Sequence, residues 1–305
     1  MQLREERLAM HDMQQYVVTE FIEDYEDGLL ERADLERRLV GLVGASEAAN
    51  LLAGLPVVAP RARRAPVPRP IQGGAGIQTA DVSIPIQGGQ LQGYLARPEG
   101  DGRRAAVLAI HENRGLVDHI KDCARRLAAA GYVALAPDLL SREGGTGAFK
   151  ETADATAALG KADANQNTQD LLAALDWLAQ QPGVDGSRLA VTGWCMGGGY
   201  TWRVATQAGS RIKAAVPWYG PNPPSDAEKI AAPVFAIYGA LDERINAGIP
   251  AIAELMWKNN KAFALRVYPN AQHAFNNDQN AERYNAEQAP IAWNDMLYFL
   301  GETLK

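Results

Sequence analysis

An α/β fold with a mostly parallel, doubly wound sheet is what this chain of 305 residues predicts. Three observations carry that expectation. From about Ile77 onward, short apolar runs alternate with stretches of helical period. The runs, "RAAVLAIHE", "YVALAPDLL" and "IKAAVPWYG" among them, are nearly unbroken Val, Ala, Leu and Ile, as strands covered on both faces must be. Strand–helix alternation over more than two hundred residues then calls for crossover helices on both sides of the sheet.

In chain order, residues 1–55 form a helical appendage. Tyr16, Val17, Phe21, Ile22 and Tyr25 fall on one helix face, Asp27-Gly28 breaks the chain, and Leu35, Leu39 and Leu42 form a second stripe. Such stripes must be covered, by the main domain or by a second copy in a homo-oligomer. Residues 56–76 are a linker, whose "PVVAPRARRAPVPRP" carries five prolines and four arginines and should be extended. Residues 77–305 are the main domain. It opens with a hairpin, "IQTADVSIPI" and "QLQGYLARP" around "QGG". Strand "RAAVLAIHE" leads to a helix over Leu116–Ala130, "YVALAPDLL" to helices through Gln181, and "SRLAVTGW" to a helix after Cys195. "IKAAVPWYG", "APVFAIYGALD", a helix over Ala247–Asn259 and "AFALRVYP" follow, and a helix over Glu282–Leu304 closes the chain.

Composition excludes several classes. The net charge is −6, but residues 1–36 alone carry about −8, which leaves the remainder near +2. That is no footprint for nucleic acid. Two cysteines make neither a disulfide framework nor a zinc cluster, so no metal is expected and a reducing, cytoplasmic setting fits the free thiols. No apolar run reaches the roughly 18 residues of a membrane span. The stretch from Arg37, "RRLVGLVGASEAANLLAGLPVVA", has a twin-arginine look. Glu47 and Asn50 interrupt it, and the cytoplasm remains the preferred location over export. "GGAGIQ" and "GGTGAF" lack the strand–turn–helix setting of a phosphate loop, so no nucleotide or other cofactor is expected.

The chemistry gathers at predicted strand ends, where an open α/β sheet keeps its sites. Gly193-Trp-Cys-Met-Gly197 has the Gly-x-Cys-x-Gly form of a nucleophile elbow, with Gly198 and Gly199 following. It would aim the Cys195 thiol upward at the positive end of a helix, with the main-chain N–H of Met196 facing a developing oxyanion. Asp242 ends "VFAIYGALD", and His273 stands in the polar loop "YPNAQHAFNN" after the last strand. The order Cys195, Asp242, His273 is the nucleophile–acid–base order of an α/β-hydrolase. Cys123 shares a helix face with Leu116, Ile120 and Leu127, which core packing explains, and Asp138 reads as a turn residue.

The motifs "HENRGL", "YVALAPDLL", "GWCMGGG", "YGALDERI" and "HAF", in this order, resemble the dienelactone hydrolase family of cysteine-dependent α/β-hydrolases across residues 77–305. The resemblance implies Cys195 as nucleophile, His273 as base and Asp242 as its orienting partner. It further implies Glu112 as a gate that keeps the resting thiol unreactive, and the main-chain N–H of Asn113 as second oxyanion donor. Arg142 matches a family arginine that binds a substrate carboxylate. The family's other such arginine corresponds here to Asn277, which favours larger or less charged esters beside Trp218, Tyr219 and Phe275. The expected activity is therefore hydrolysis of carboxylic ester or lactone bonds in a small-molecule substrate, of the carboxymethylenebutenolidase type. Acyl transfer or thioester cleavage at the same site, or a ligand-binding protein whose thiol does not turn over, are the alternatives.

Overall fold

The computed structural model describes residues 12–58, 76–222 and 226–305, so most of the expected linker lies outside the described residues. One eight-stranded sheet organises them. Its strands are β1 (Ile77–Ile86), β2 (Gly89–Pro98), β3 (Arg104–Ile110), β4 (Val133–Pro137), β5 (Val184–Trp194), β6 (Ala214–Trp218), β7 (Val234–Gly239) and β8 (Phe263–Tyr268). The spatial order is β1-β2-β4-β3-β5-β6-β7-β8. β1 and β2 pair antiparallel as the expected hairpin, β2 meets β4 antiparallel, and every later pairing is parallel. The apolar runs sit where two-sided burial demands them: Val107, Leu108, Ala109 and Ile110 of β3 and all of β6 are buried. Each such Leu or Ile contributes about 1.5–3 kcal/mol relative to exposure.

Helices α1 (Asp12–Glu26), α2 (Arg32–Val43) and α3 (Ala45–Ala53) precede the sheet. α4 (Asp118–Ala129), α5 (Thr152–Lys161), α6 (Ala164–Ala179), α7 (Met196–Gln207), α8 (Glu243–Asn246), α9 (Ile249–Lys258) and α10 (Gln288–Thr303) lie between or after its strands. The helix expected over Ala247–Asn259 is α9, preceded by the short α8, and Pro250 sits in its first turn, where the missing N–H costs nothing. One expectation changes. The closing helix starts at Gln288 rather than Glu282. The Asn285 side chain accepts from the N–H groups of Glu287 and Gln288, and Pro290 is tolerated in the first turn but not deeper.

The appendage stripes are covered by the chain itself. Val17, Phe21, Tyr25, Leu35, Leu39 and Leu42 are buried and join the common core. α1 and α2 dock on α5 at Gly160, where a Cβ would come within 2.8 Å of Leu42 Cδ1 and 3.2 Å of Val17 Cγ2. Lys161 Nζ donates to the Gly41 carbonyl at 2.5 Å. The same packing lays α1 across the carboxyl ends of the strands.

Candidate active site

β5 ends at Trp194 and α7 begins at Met196, so Cys195 alone makes the turn, with φ 57° and ψ −119°. A residue with a side chain adopts such a backbone only when its surroundings impose it, at a cost of about 1–3 kcal/mol. Here the Cys195 N–H donates to Trp218 O at 3.1 Å and its carbonyl accepts from Gly198 N at 2.9 Å. The glycines are required by contact: a Cβ at Gly197 would lie 2.3 Å from Ile110 O, and one at Gly198 2.4 Å from Trp218 O.

Asp242 follows β7 and caps α8, its Oδ1 accepting from Ile245 N at 3.3 Å. Its Oδ2 lies 2.6 Å from Nδ1 of His273, in the loop after β8. The edge-on ring of Tyr219, 5.2 Å away between centroids, backs the imidazole. Its Nε2 is buried and lies 3.4 Å from Glu20 Oε1. One ligating atom from each of Cys195, His273 and Glu20 falls within 4.8 Å of the others.

Glu20 was not foreseen. It comes from α1, as does Tyr16, whose hydroxyl is 3.1 Å from Cys195 Sγ; Glu20 Oε2 is 3.7 Å from the same sulfur. Arg244 binds both Glu20 and Glu23, the latter through Nε at 2.6 Å, and lies over the Tyr16 ring at 4.9 Å. Arg283 pairs with Asp24 at 2.7 Å. Tyr16, Glu20 and Asp24 are spaced i, i+4, i+8 and thus share a helix face. That spacing was visible in the sequence, but nothing local said which way the face would point.

The electrostatics follow from this crowding. Burial pushes the Cys195 thiol up, and the Glu20 charge pushes it further. Burial acts to lower His273, but Glu20 and Asp242 outweigh it and hold the imidazole well above its ordinary value. Burial acts to raise Glu20, yet His273, Arg244 and Arg283 hold it at about 2.

A cleft of ≈ 590 Å³ opens beside the sulfur, lined by Phe21, Glu112, Asn113, Cys195, His273 and Arg283 among others. Glu112 reaches the cleft but is bound elsewhere: its Oε2 accepts from Asn277 Nδ2 at 2.6 Å, and its Oε1 is buried without a partner. Asn277 therefore serves Glu112 at the position where the resemblance puts an arginine. Arg142 is not brought to the cleft. The short 3-10 turn at Ser141–Glu143 directs it to Asp170 (2.9 and 3.0 Å) and to the Gln87 carbonyl. Trp218, Tyr219 and Phe275 do not line it either. They are fully buried, in ring contact with one another and with Trp194 or Tyr268, beneath His273. Burial of that much aromatic surface outweighs any tendency to face a wet cleft. Among the described residues, one group could hold a metal ion, Glu20 with Cys195 and His273. The fixed charge of Arg244 on the Glu20 carboxylate opposes a cation there.

A mostly parallel sheet with helices on both faces, bearing a cysteine elbow at a strand end, defines an α/β-hydrolase fold. The chain belongs to the dienelactone hydrolase family, whose model matches residues 91–304, and is a carboxylic ester hydrolase. A relative from Escherichia coli O157:H7, provisionally named a carboxymethylenebutenolidase, is 37% identical over 229 residues, covering 70% of this chain and 83% of the relative. Among solved structures, a provisionally assigned dienelactone hydrolase from Klebsiella pneumoniae superposes with a TM-score of 0.68 at 34% identity, covering 74% of this chain and 98% of the other. A dienelactone hydrolase-like promiscuous phosphotriesterase from metagenomic libraries gives 0.64 at 26%, covering 76% and 100%. No helix among the described residues is long and apolar enough to cross a membrane.

Proposed function

We propose that the protein hydrolyses small carboxylic ester or lactone bonds with Cys195 as nucleophile, His273 as proton carrier and Asp242 as its orienting group. The observation that supports this most is the imidazole held by Asp242 at 2.6 Å through Nδ1, which leaves Nε2 for the sulfur in a cleft that admits a small molecule. The thiolate attacks the carbonyl carbon. The N–H of Met196, at the start of α7, and the N–H of Asn113 receive the oxyanion. The imidazolium gives its proton to the departing alkoxide, leaving a thioester and a neutral imidazole. That imidazole takes a proton from water, the hydroxide adds to the thioester, and the tetrahedral adduct expels the thiolate beside a restored imidazolium.

A panel of p-nitrophenyl esters and small lactones tests the reading. The wild-type protein turns over at least one of them, and Cys195→Ala or His273→Ala lowers its kcat/KM by on the order of 10⁴-fold. Equal, negligible rates for all three proteins across the panel would sink hydrolysis and favour a ligand-binding role.

A further inference from the structure

The family resemblance gives the resting thiol's partner as Glu112, yet that carboxylate is turned to Asn277. The carboxylate that meets the sulfur is Glu20, which lies outside the family-matched residues 91–304. We infer that α1 supplies the gate of this site: the Glu20 carboxylate stands in for the thiolate as counter-ion of the His273 imidazolium at rest, and an entering ester displaces it toward Arg244 and Glu23 while the helix stays docked. The inference rests on Cys195 being the nucleophile.

The groups facing the sulfur are Tyr16 and Glu20 from α1, Glu112 after β3 and His273 after β8, with Arg244 and Arg283 behind Glu20. A thiolate formed with Glu20 in place would set two anions against one imidazolium in a buried site. Sulfur therefore keeps its proton, the imidazole keeps its charge, and the carboxylate stays ionised against Arg244. Once the carboxylate leaves, the S–H bond breaks with its electron pair left on sulfur, and the proton passes to water in the cleft. The thiolate then becomes the imidazolium's counter-ion. Tyr16 O–H, already 3.1 Å from the sulfur, donates a hydrogen bond to it.

The moving part is the side chain. Val17, Phe21 and Tyr25 are at most 2% exposed, so lifting α1 would expose several core residues. Glu20, by contrast, lines the ≈ 590 Å³ cleft at Cys195, and its partners Arg244 and His273 also line a ≈ 390 Å³ hollow with Glu23, Asp242 and Arg283. Arg244 spans Glu20 and Glu23 already and keeps its grip as the carboxylate retreats.

Alkylation of the full-length protein by iodoacetamide, with Cys195 followed by peptide mass spectrometry across pH, tests the gate without relying on turnover. Glu20→Gln should alkylate about tenfold faster than wild type at neutral pH, the equivalent of one unit in thiol pKa. Glu20→Asp, one methylene shorter but still charged for Arg244, should shift the same way by less and guards against a folding artefact. Adding Tyr16→Phe to Glu20→Gln should return part of the gain. Rates for both Glu20 variants at or below wild type overturn the gate, as does a larger acceleration from Glu112→Gln than from Glu20→Gln. If no variant hydrolyses an ester while Glu20→Gln still speeds alkylation, the gate is upheld and the ester reading falls.

Discussion

Among the described residues, a cysteine, a histidine and an aspartate lie in a row, each next to the following one, in two places. At the strand ends these are Cys195, His273 and Asp242. Inside the body, Cys123 Sγ lies 3.7 Å from His119 Nε2, and His119 Nδ1 lies 3.2 Å from Asp278 Oδ1. Both thiols are buried. The difference lies in what surrounds the same three chemistries. Cys123 and His119 are an i, i+4 pair on α4 with ordinary helical backbone and line neither the cleft at Cys195 nor the hollow beside Glu23. Asp278 is committed to Arg126 at 2.6 Å. Cys195 stands on a strained turn at a helix N-terminus, with a cleft at its sulfur and an imidazole partner from a separate loop. The proposed reaction site thus differs from the buried trio in access and in the backbone that aims its thiol.

That contrast can be broken most directly by turnover. Where Cys195→Ala removes about 10⁴-fold of kcat/KM, Cys123→Ala should change ester hydrolysis by about twofold or less, its cost falling on stability. Comparable losses from both would erase the distinction. The two aspartates should divide in the same way. Asp242→Asn should lower kcat by on the order of 10⁴-fold through the wrong imidazole tautomer while the fold keeps most of its stability. Asp278→Ala leaves His119 and Arg126 without their shared carboxylate, and should cost about 3–5 kcal/mol in urea unfolding with turnover per folded molecule retained.

The last effect is one of pH. Burial acts to lower His119, but Cys123 and Asp278 raise it to about 10. A group raised on folding stabilises fully below its unfolded value, about 6.5, and loses that contribution as pH climbs through the folded value. The stability gap between the wild type and His119→Gln should therefore be widest below about pH 6.5 and close toward pH 10. A gap that stays constant over that window would show that His119 is held neutral.

Several features were legible because they are local. Gly197 and Gly198 signalled an elbow because a Cβ at either collides with backbone, and that demand is written at the position itself. Leu35, Leu39 and Leu42 announced a buried stripe by spacing alone. The start of the closing helix was misjudged because Asn285, Pro290 and the pull of Asp24 on Arg283 compete with propensity there. Arg142 carries no local mark that Asp170, on another helix, would take its guanidinium. For Trp218, Tyr219 and Phe275, composition allowed either a pocket wall or a core, and only the surrounding rings decided between them.

The amino-acid sequence by itself determined the alternation of strand and helix, the cysteine elbow and the order of its partners, since periodicity, steric need and chain direction are properties of short segments. Tertiary structure alone decided that α1 lies over the strand ends, so that Tyr16 and Glu20 meet a sulfur far along the chain. The reason is physical: an amphipathic helix encodes that it must bury one face, while the surface that receives it is created only when distant segments pack.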